Sequence, residues 1–194
     1  MKDLSIEEYI TEIKYCYENS RWEFSYYAVL YSYLCQFRNN KIKLVQCSDW
    51  RSRGKKTSET MRNNLKFCSV KFTDKDNTEH IGGIPDFQFV PSEYSYGNSC
   101  EANAFVEFKA PEFSDEGVYQ LLKYTKNQEI EHQFLNCNKI IFTDGFTWCF
   151  LERTHEEPTK CIELIENEKI SVKPNHNNWI KLKDTITDFI KQKD

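Results

Sequence analysis

Apolar and polar positions along the chain alternate between helical and strand-like spacing, and the switch points divide it into an ordered series of elements. Ile6, Tyr9, Ile10, Ile13 and Tyr17 recur at helical intervals, with Ser5 placed to cap the start and Glu7 and Glu8 in the first turn. The charge-free run from Phe24 to Phe37 reads as a buried helix ending near Arg38-Asn39-Asn40. Lys41 to Cys47 alternates charged and apolar residues and predicts a short strand. Asp49 to Lys56 has no periodicity and reads as an exposed loop, after which Thr57 or Ser58 can cap a helix over 58–65 with Glu59 in its first turn. Strands are predicted at 67–72, 84–90 and 104–109, with a polar turn at 73–83 and Pro111 closing the last. A helix over 117–131 follows. Strands at 139–143 and 146–151 flank Asp144-Gly145, a two-residue hairpin turn signal. The tail predicts a strand at 169–172 and an amphipathic helix over 178–191.

The strand pattern is broken by charge at two places. Asp86 lies between Pro85 and Phe87, and Glu107 and Lys109 flank Phe108 in an otherwise apolar strand. Residues two apart in a strand share a face, so Glu107 and Lys109 project together while Val106 and Phe108 turn to the opposite, apolar side. Charged groups stay out of apolar strands unless they are paired or bind a metal, and these three are therefore the candidate site.

Composition narrows the classes. A chain of 194 residues can bury a proper core as a single domain. The formal charge of −4 argues against a protein that coats nucleic acid nonspecifically, although a local basic surface is compatible with it. The eight cysteines form no CxxC pair and no Cys/His cluster, and the N-terminus MKDLSIEEYI has no apolar signal segment. Reduced, mostly buried thiols are therefore expected, in a soluble, intracellular protein, cytoplasmic or nuclear and not secreted. No apolar run approaches the roughly 20 residues that a membrane span requires. The four histidines form no triad or HExxH pattern, and GxSxG is absent.

The order of these elements resembles the PD-(D/E)XK nuclease superfamily over about residues 57 to 152. The matching residues are Pro85-Asp86, Glu107-Phe108-Lys109, and Gln120 with Tyr124 four positions later, as in the QxxxY helix of a subset of these nucleases. In local texture, EFKAP, QLLKYTKNQ and IIFTDGFTWCFLE are similar to the nuclease module of type I restriction enzyme motor subunits. The resemblance implies an α/β, restriction-endonuclease-like core with a central mixed sheet of four to five strands flanked by helices and an N-terminal helical extension. On this basis the chain is one domain, 1–194, with a helical arm at 1–48, a nuclease core at 57–152 and a C-terminal strand and helix at 156–194.

The activity implied is divalent-metal-dependent hydrolysis of phosphodiester bonds by an endonuclease, in DNA in preference to RNA. Asp86 and Glu107, helped by the backbone carbonyl of Phe108, would hold Mg²⁺ or Mn²⁺, hard cations that prefer oxygen ligands. Lys109 would orient or deprotonate the attacking water or steady developing charge. The family usually adds an acidic residue from its first core helix, for which Glu59 is favoured over Glu23. Gln120 and Tyr124 share one helix face and would approach the metal site and the phosphate backbone. Arg51, Arg53, Lys55, Lys56 and Arg62, beside Trp50, form a basic segment fit to track phosphates, joined by Lys123 on the QxxxY helix. Alternatives are an RNase, or a catalytically weak or inactive nucleic-acid-binding or assembly module of the same fold. Partners are nucleic acid and a second copy or larger complex that supplies specificity. No membrane partner is expected.

Overall fold

The computed structural model describes residues 4–20, 22–46, 70–73, 79–82, 85–94, 102–110, 139–152, 158–165 and 174–191. Helix α1, Ile6–Asn19, begins where Ser5 predicts. The Ser5 hydroxyl accepts the Glu8 N–H while the Glu8 carboxylate accepts the Ser5 N–H, so two otherwise unpartnered donors are satisfied reciprocally. Helix α2, Glu23–Leu34, tightens into a 3₁₀ turn at Cys35–Phe37. Helix α3, His176–Phe189, is capped by the Asn175 side chain. Among the described residues, no helix is long and apolar enough to cross a membrane.

The strands are β1 (Ile42–Gln46), β2 (Val70–Thr73), β3 (Glu79–Gly82), β4 (Phe87–Pro91), β5 (Ala104–Phe108), β6 (Lys139–Thr143), β7 (Thr147–Glu152) and β8 (Lys160–Glu163). Six of them form one mixed sheet in the order β1-β4-β5-β6-β7-β8, while β2 and β3 pair separately as an antiparallel ribbon. Within the large sheet the β5–β6 pair is parallel and its other pairs are antiparallel. A parallel pair needs a long crossover, and the segment 109–138 between β5 and β6 is long enough to make one.

The sheet is larger than the four to five strands expected. The alternating segment at 41–47 joins its edge as β1, and β8 arises at 160–163, where no strand was predicted. Of the four β8 residues only Ile162 is buried, so the apolar pattern is too thin to announce the strand. The polar turn expected at 73–83 is interrupted by β3, and the expected strand at 67–72 is described only as β2, from Val70. The predicted strand at 169–172 and the helices at 58–65 and 117–131 lie outside the described residues.

Alternation along each strand separates two apolar faces. One carries Phe87, Phe89, Ala104, Val106, Phe108, Ile141, Trp148 and Phe150, and packs with the buried sides of α1, α2 and α3 in a single core. The other carries Val90, Phe105, Ile140, Phe142 and Cys149. Aromatic rings concentrate in the first core. Tyr33 stacks on Trp179 at 4.7 Å between ring centres and meets Tyr9 and Trp148 at 5.0 and 5.5 Å. The segment read as a helical arm thus contributes both helices and β1 to the central core.

The β6–β7 connection is longer than a two-residue hairpin, with Asp144, Gly145 and Phe146 between the strands. Asp144 Oδ1 accepts the N–H groups of Phe146 and Thr147 at 2.9 and 2.7 Å, and the Thr143 hydroxyl accepts that of Gly145. A short side-chain acceptor that captures successive turn N–H groups widens the loop. Gly145 has φ +92°, its carbonyl accepts the buried Tyr9 hydroxyl, and a Cβ there would meet Ile13 at 3.1 Å. Gly145→Ala is therefore expected to cost about 1–3 kcal/mol, because a left-handed backbone and a crowded α1 contact coincide. The shift of the urea midpoint measures it.

Burial raises the Asp144 carboxyl above its usual range, its turn N–H bonds oppose that, and Glu163 adds to the rise. A carboxyl with a raised folded-state value binds its proton more tightly in the native chain than in the unfolded one. Stability from this group is therefore fully present below the unfolded value and is lost as pH rises from there through the folded one. Asp144→Asn keeps an Oδ1 acceptor without the buried charge. Its stability relative to wild type is expected to be greatest at pH 7 and to shrink on acidification, as read by urea midpoints at pH 7 and 4.

Cys149 and Cys161 face each other across β7 and β8 and are joined as a disulfide, with Cα atoms 4.2 Å apart. The expectation of reduced thiols fails for this pair. Twelve residues separate them in sequence, and only the β7–β8 register brings them together. Cys16 and Cys35 are free and buried, as expected.

Candidate active site

Asp86 immediately precedes β4 rather than lying within it, and it is fully buried. Phe87, the next residue, pairs with Val106 at the end of the β4–β5 ladder, which brings Asp86 to the Glu107–Phe108 end of β5. Its carboxylate is fixed from two directions. Oδ2 accepts the Phe108 N–H at 2.8 Å, and Oδ1 accepts the Tyr27 hydroxyl of α2 at 2.5 Å. Burial raises the Tyr27 hydroxyl well above the usual tyrosine range, and the Asp86 charge and hydrogen bond push it further, so Tyr27 remains a donor to Asp86.

Glu107 and Lys109 share a side, as their spacing predicts. Lys109 Nζ lies 3.1 Å from Glu107 Oε1 and 3.2 Å from Glu23 Oε1, with only 14% of the Lys109 side chain exposed. The Lys109 N–H donates to the Thr143 carbonyl of β6, which holds its backbone just past the end of β5. Burial lowers the Lys109 ammonium, but the charges of Glu107, Glu23 and Asp86 outweigh it and raise the group above the usual lysine range. Lys109 is thus a protonated donor held between two carboxylates.

The helix carboxylate brought to this cluster is Glu23, the less favoured of the two sequence candidates. It occupies the first turn of α2, four residues before Tyr27 and on the same helix face, so one helix supplies partners to both Lys109 and Asp86. Sequence reasoning passed over Tyr27. The signal available was its four-residue spacing from Glu23 inside a run read only as apolar. Glu59, Gln120, Tyr124, Lys123, Trp50, Arg51, Arg53, Lys55, Lys56 and Arg62 lie outside the described residues.

Three carboxylates among the described residues, Asp86, Glu107 and Glu23, gather around the ammonium of Lys109. Among the described residues no group of three or more His, Cys, Asp or Glu side chains is arranged to hold a metal ion. Asp86 and Glu107 nevertheless offer two oxygen donors from adjacent strands. The Phe108 N–H points toward Asp86, and in a strand the carbonyl of the same residue points to the same edge, so the Phe108 carbonyl lies on the Asp86 side of β5. An all-oxygen set with two carboxylates suits a small hard cation, which keeps several of its waters.

Gln88, two residues beyond Asp86, is 1% exposed, and neither its Oε1 nor its Nε2 has a hydrogen-bond partner among the described residues. Removing an unpaired buried amide relieves its desolvation cost. Gln88→Leu is expected to raise stability by about 1 kcal/mol, visible as a higher urea midpoint with an unchanged slope.

No protein-family model matches the chain, and no curated protein matches it. Among solved structures it is similar to the cryoEM structure of a DrdV–DNA complex, with a TM-score of 0.52 and 11% sequence identity. The match covers 97% of this chain and 14% of that one, so this chain spans a small part of the DrdV chain. The likeness is one of fold.

Proposed function

We propose that the protein is a divalent-metal-dependent nuclease of the PD-(D/E)XK type that hydrolyses phosphodiester bonds in DNA. The observation that carries this reading is the buried Asp86 bonded to the Phe108 N–H, with Lys109 held between Glu107 and Glu23 at the same strand ends. The likeness in fold to a chain solved in complex with DNA is in keeping with it.

Asp86, Glu107 and the Phe108 carbonyl are the groups that would hold Mg²⁺ or Mn²⁺. When bound, the cation supplies Lewis acidity and offsets charge on the phosphoryl oxygens. The chain's own residues do the rest. Phe108 N–H and Tyr27 hold Asp86 in one orientation, so no rotamer search precedes binding. Lys109 presents Nζ–H donors to the attacking water or to the phosphate oxygen that gains charge. Glu23 keeps the lysine aimed from the helix side. One such site cuts one strand, so duplex cleavage calls for a second copy or a larger complex.

The test is incubation of purified protein with single-stranded DNA, duplex DNA and RNA in Mg²⁺, Mn²⁺ or EDTA. DNA cleavage that requires the metal is expected. Metal-dependent cleavage of RNA alone transfers the reading to an RNase. Binding without cleavage in any metal replaces it with a nucleic-acid-binding module of the same fold.

A further inference from the structure

Of the four large apolar side chains exposed among the described residues, three, Tyr15, Trp22 and Phe24, fall around the α1–α2 turn. Trp22 and Phe24 are 77% and 63% exposed and flank Glu23, the carboxylate that pairs with Lys109. Helix physics does not account for Trp22. It stands at the N-cap of α2, where Ser, Thr, Asp or Asn is preferred, and it makes no side-chain capping bond. Packing does not account for its exposure either, since burying a ring of this size would stabilise the chain. Among the described residues, Phe24 is anchored by one aromatic neighbour. Its ring meets Tyr27 edge-on at 5.4 Å between centres, and Tyr27 is hydrogen-bonded to Asp86.

From this placement we infer that Trp22 and Phe24 form a stacking platform for an unpaired nucleobase next to the phosphate being cut. The inference rests on the nuclease reading and names the substrate feature that the same site selects. Its occupant follows from continuity with the cluster. A strand whose phosphate reaches Lys109 and Glu107 must carry its neighbouring nucleotide past the α2 start, where two exposed rings offer π faces. Bases in a duplex are already stacked on each other, whereas an unpaired base exchanges water for an aromatic face, whatever its identity. The platform therefore favours single-stranded or frayed substrate over closed duplex.

The experiment compares wild type with a Trp22→Ala/Phe24→Ala double variant by fluorescence anisotropy. Labelled oligonucleotides are single-stranded, fully duplex, or single-stranded with one abasic nucleotide stepped through the positions around the cut, with Ca²⁺ in place of Mg²⁺. The double variant is expected to bind single strands about 10- to 100-fold more weakly, with little change for duplex and a melting temperature lowered only slightly by loss of the Phe24–Tyr27 contact. In wild type, one abasic position reproduces that loss, and in the variant the same position costs nothing further. Trp22→Tyr and Phe24→Tyr are expected to retain most of the affinity. Equal binding by variant and wild type overturns the platform, as does a loss that ignores every abasic position. A sedimentation shift in the variant, with unchanged affinity, overturns it in favour of a contact between two copies of the chain. If wild type cuts DNA but the variant binds as well, the platform alone fails. If wild type binds no nucleic acid, the nuclease reading fails with it.

Discussion

Replacing Lys109 by Ala is expected to abolish cleavage while leaving divalent-cation binding intact or tighter. The ammonium lies within 3.2 Å of both Glu107 and Glu23, so removing it takes a competing cation away from two carboxylates that a divalent ion can engage. Loss of a preorganised donor at the reacting centre typically costs on the order of 10²–10³ in rate. The opposing possibility is that Lys109 serves only as a counter-ion for the two glutamates. In that case saturating Mg²⁺ would take over its charge, and Lys109→Ala would cut as well as wild type. Calorimetric titration of Mg²⁺ and Mn²⁺, paired with cleavage rates across metal concentration, separates the two outcomes. Cleavage restored by metal alone sinks the catalytic role.

Asp86 carries the second large effect, and its two substitutions are expected to diverge. Asp86→Ala leaves the Phe108 N–H and the Tyr27 hydroxyl without their buried acceptor, at a cost of about 1–3 kcal/mol in stability. Asp86→Asn can still accept the Phe108 N–H through Oδ1, while its amide N–H donates to the Tyr27 oxygen. Its stability is expected to stay within about 1 kcal/mol of wild type. Both variants are expected to lose cleavage by at least about 10³-fold, because the charged oxygen donor is gone. Thermal melts beside cleavage assays check this. An Asp86→Asn protein that cuts at the wild-type rate would make Asp86 a purely structural anchor between β4, β5 and α2.

The two assays divide the site into parts of different legibility. Glu107 and Lys109 were readable because a two-residue period fixes their common face, whatever else the chain does. Asp86 was readable because a carboxylate amid Ile84, Pro85 and Phe87 has no inexpensive place in an apolar run. Glu23 was harder to place. Eighty-six residues separate it from Lys109, and two acidic helix starts looked alike in sequence. Tyr27 was passed over because tyrosine in an apolar helix satisfies the core pattern whether or not its hydroxyl has a distant partner. The fold divides in the same way. The Ser5 start of α1 and the presence of a turn at Asp144-Gly145 depend on neighbours in sequence and were anticipated, whereas the third turn residue, Phe146, was not. The separate pairing of β2 with β3, the β8 edge and the Cys149–Cys161 disulfide depend on register between strands, which composition does not encode.

By itself, then, the sequence determined helices α1, α2 and α3, strands β1, β4, β5, β6 and β7, and the strand-end charges Asp86, Glu107 and Lys109, because helical and strand periods and the cost of burying charge act over a few residues. Only the tertiary structure decided that α2 closes the cluster, with Glu23 on Lys109 and Tyr27 on Asp86. Those contacts arise when a helix packs across the ends of β4 and β5. Which of its polar groups then meet the strands depends on helix rotation and depth, quantities set by the whole core and by no single segment of the chain.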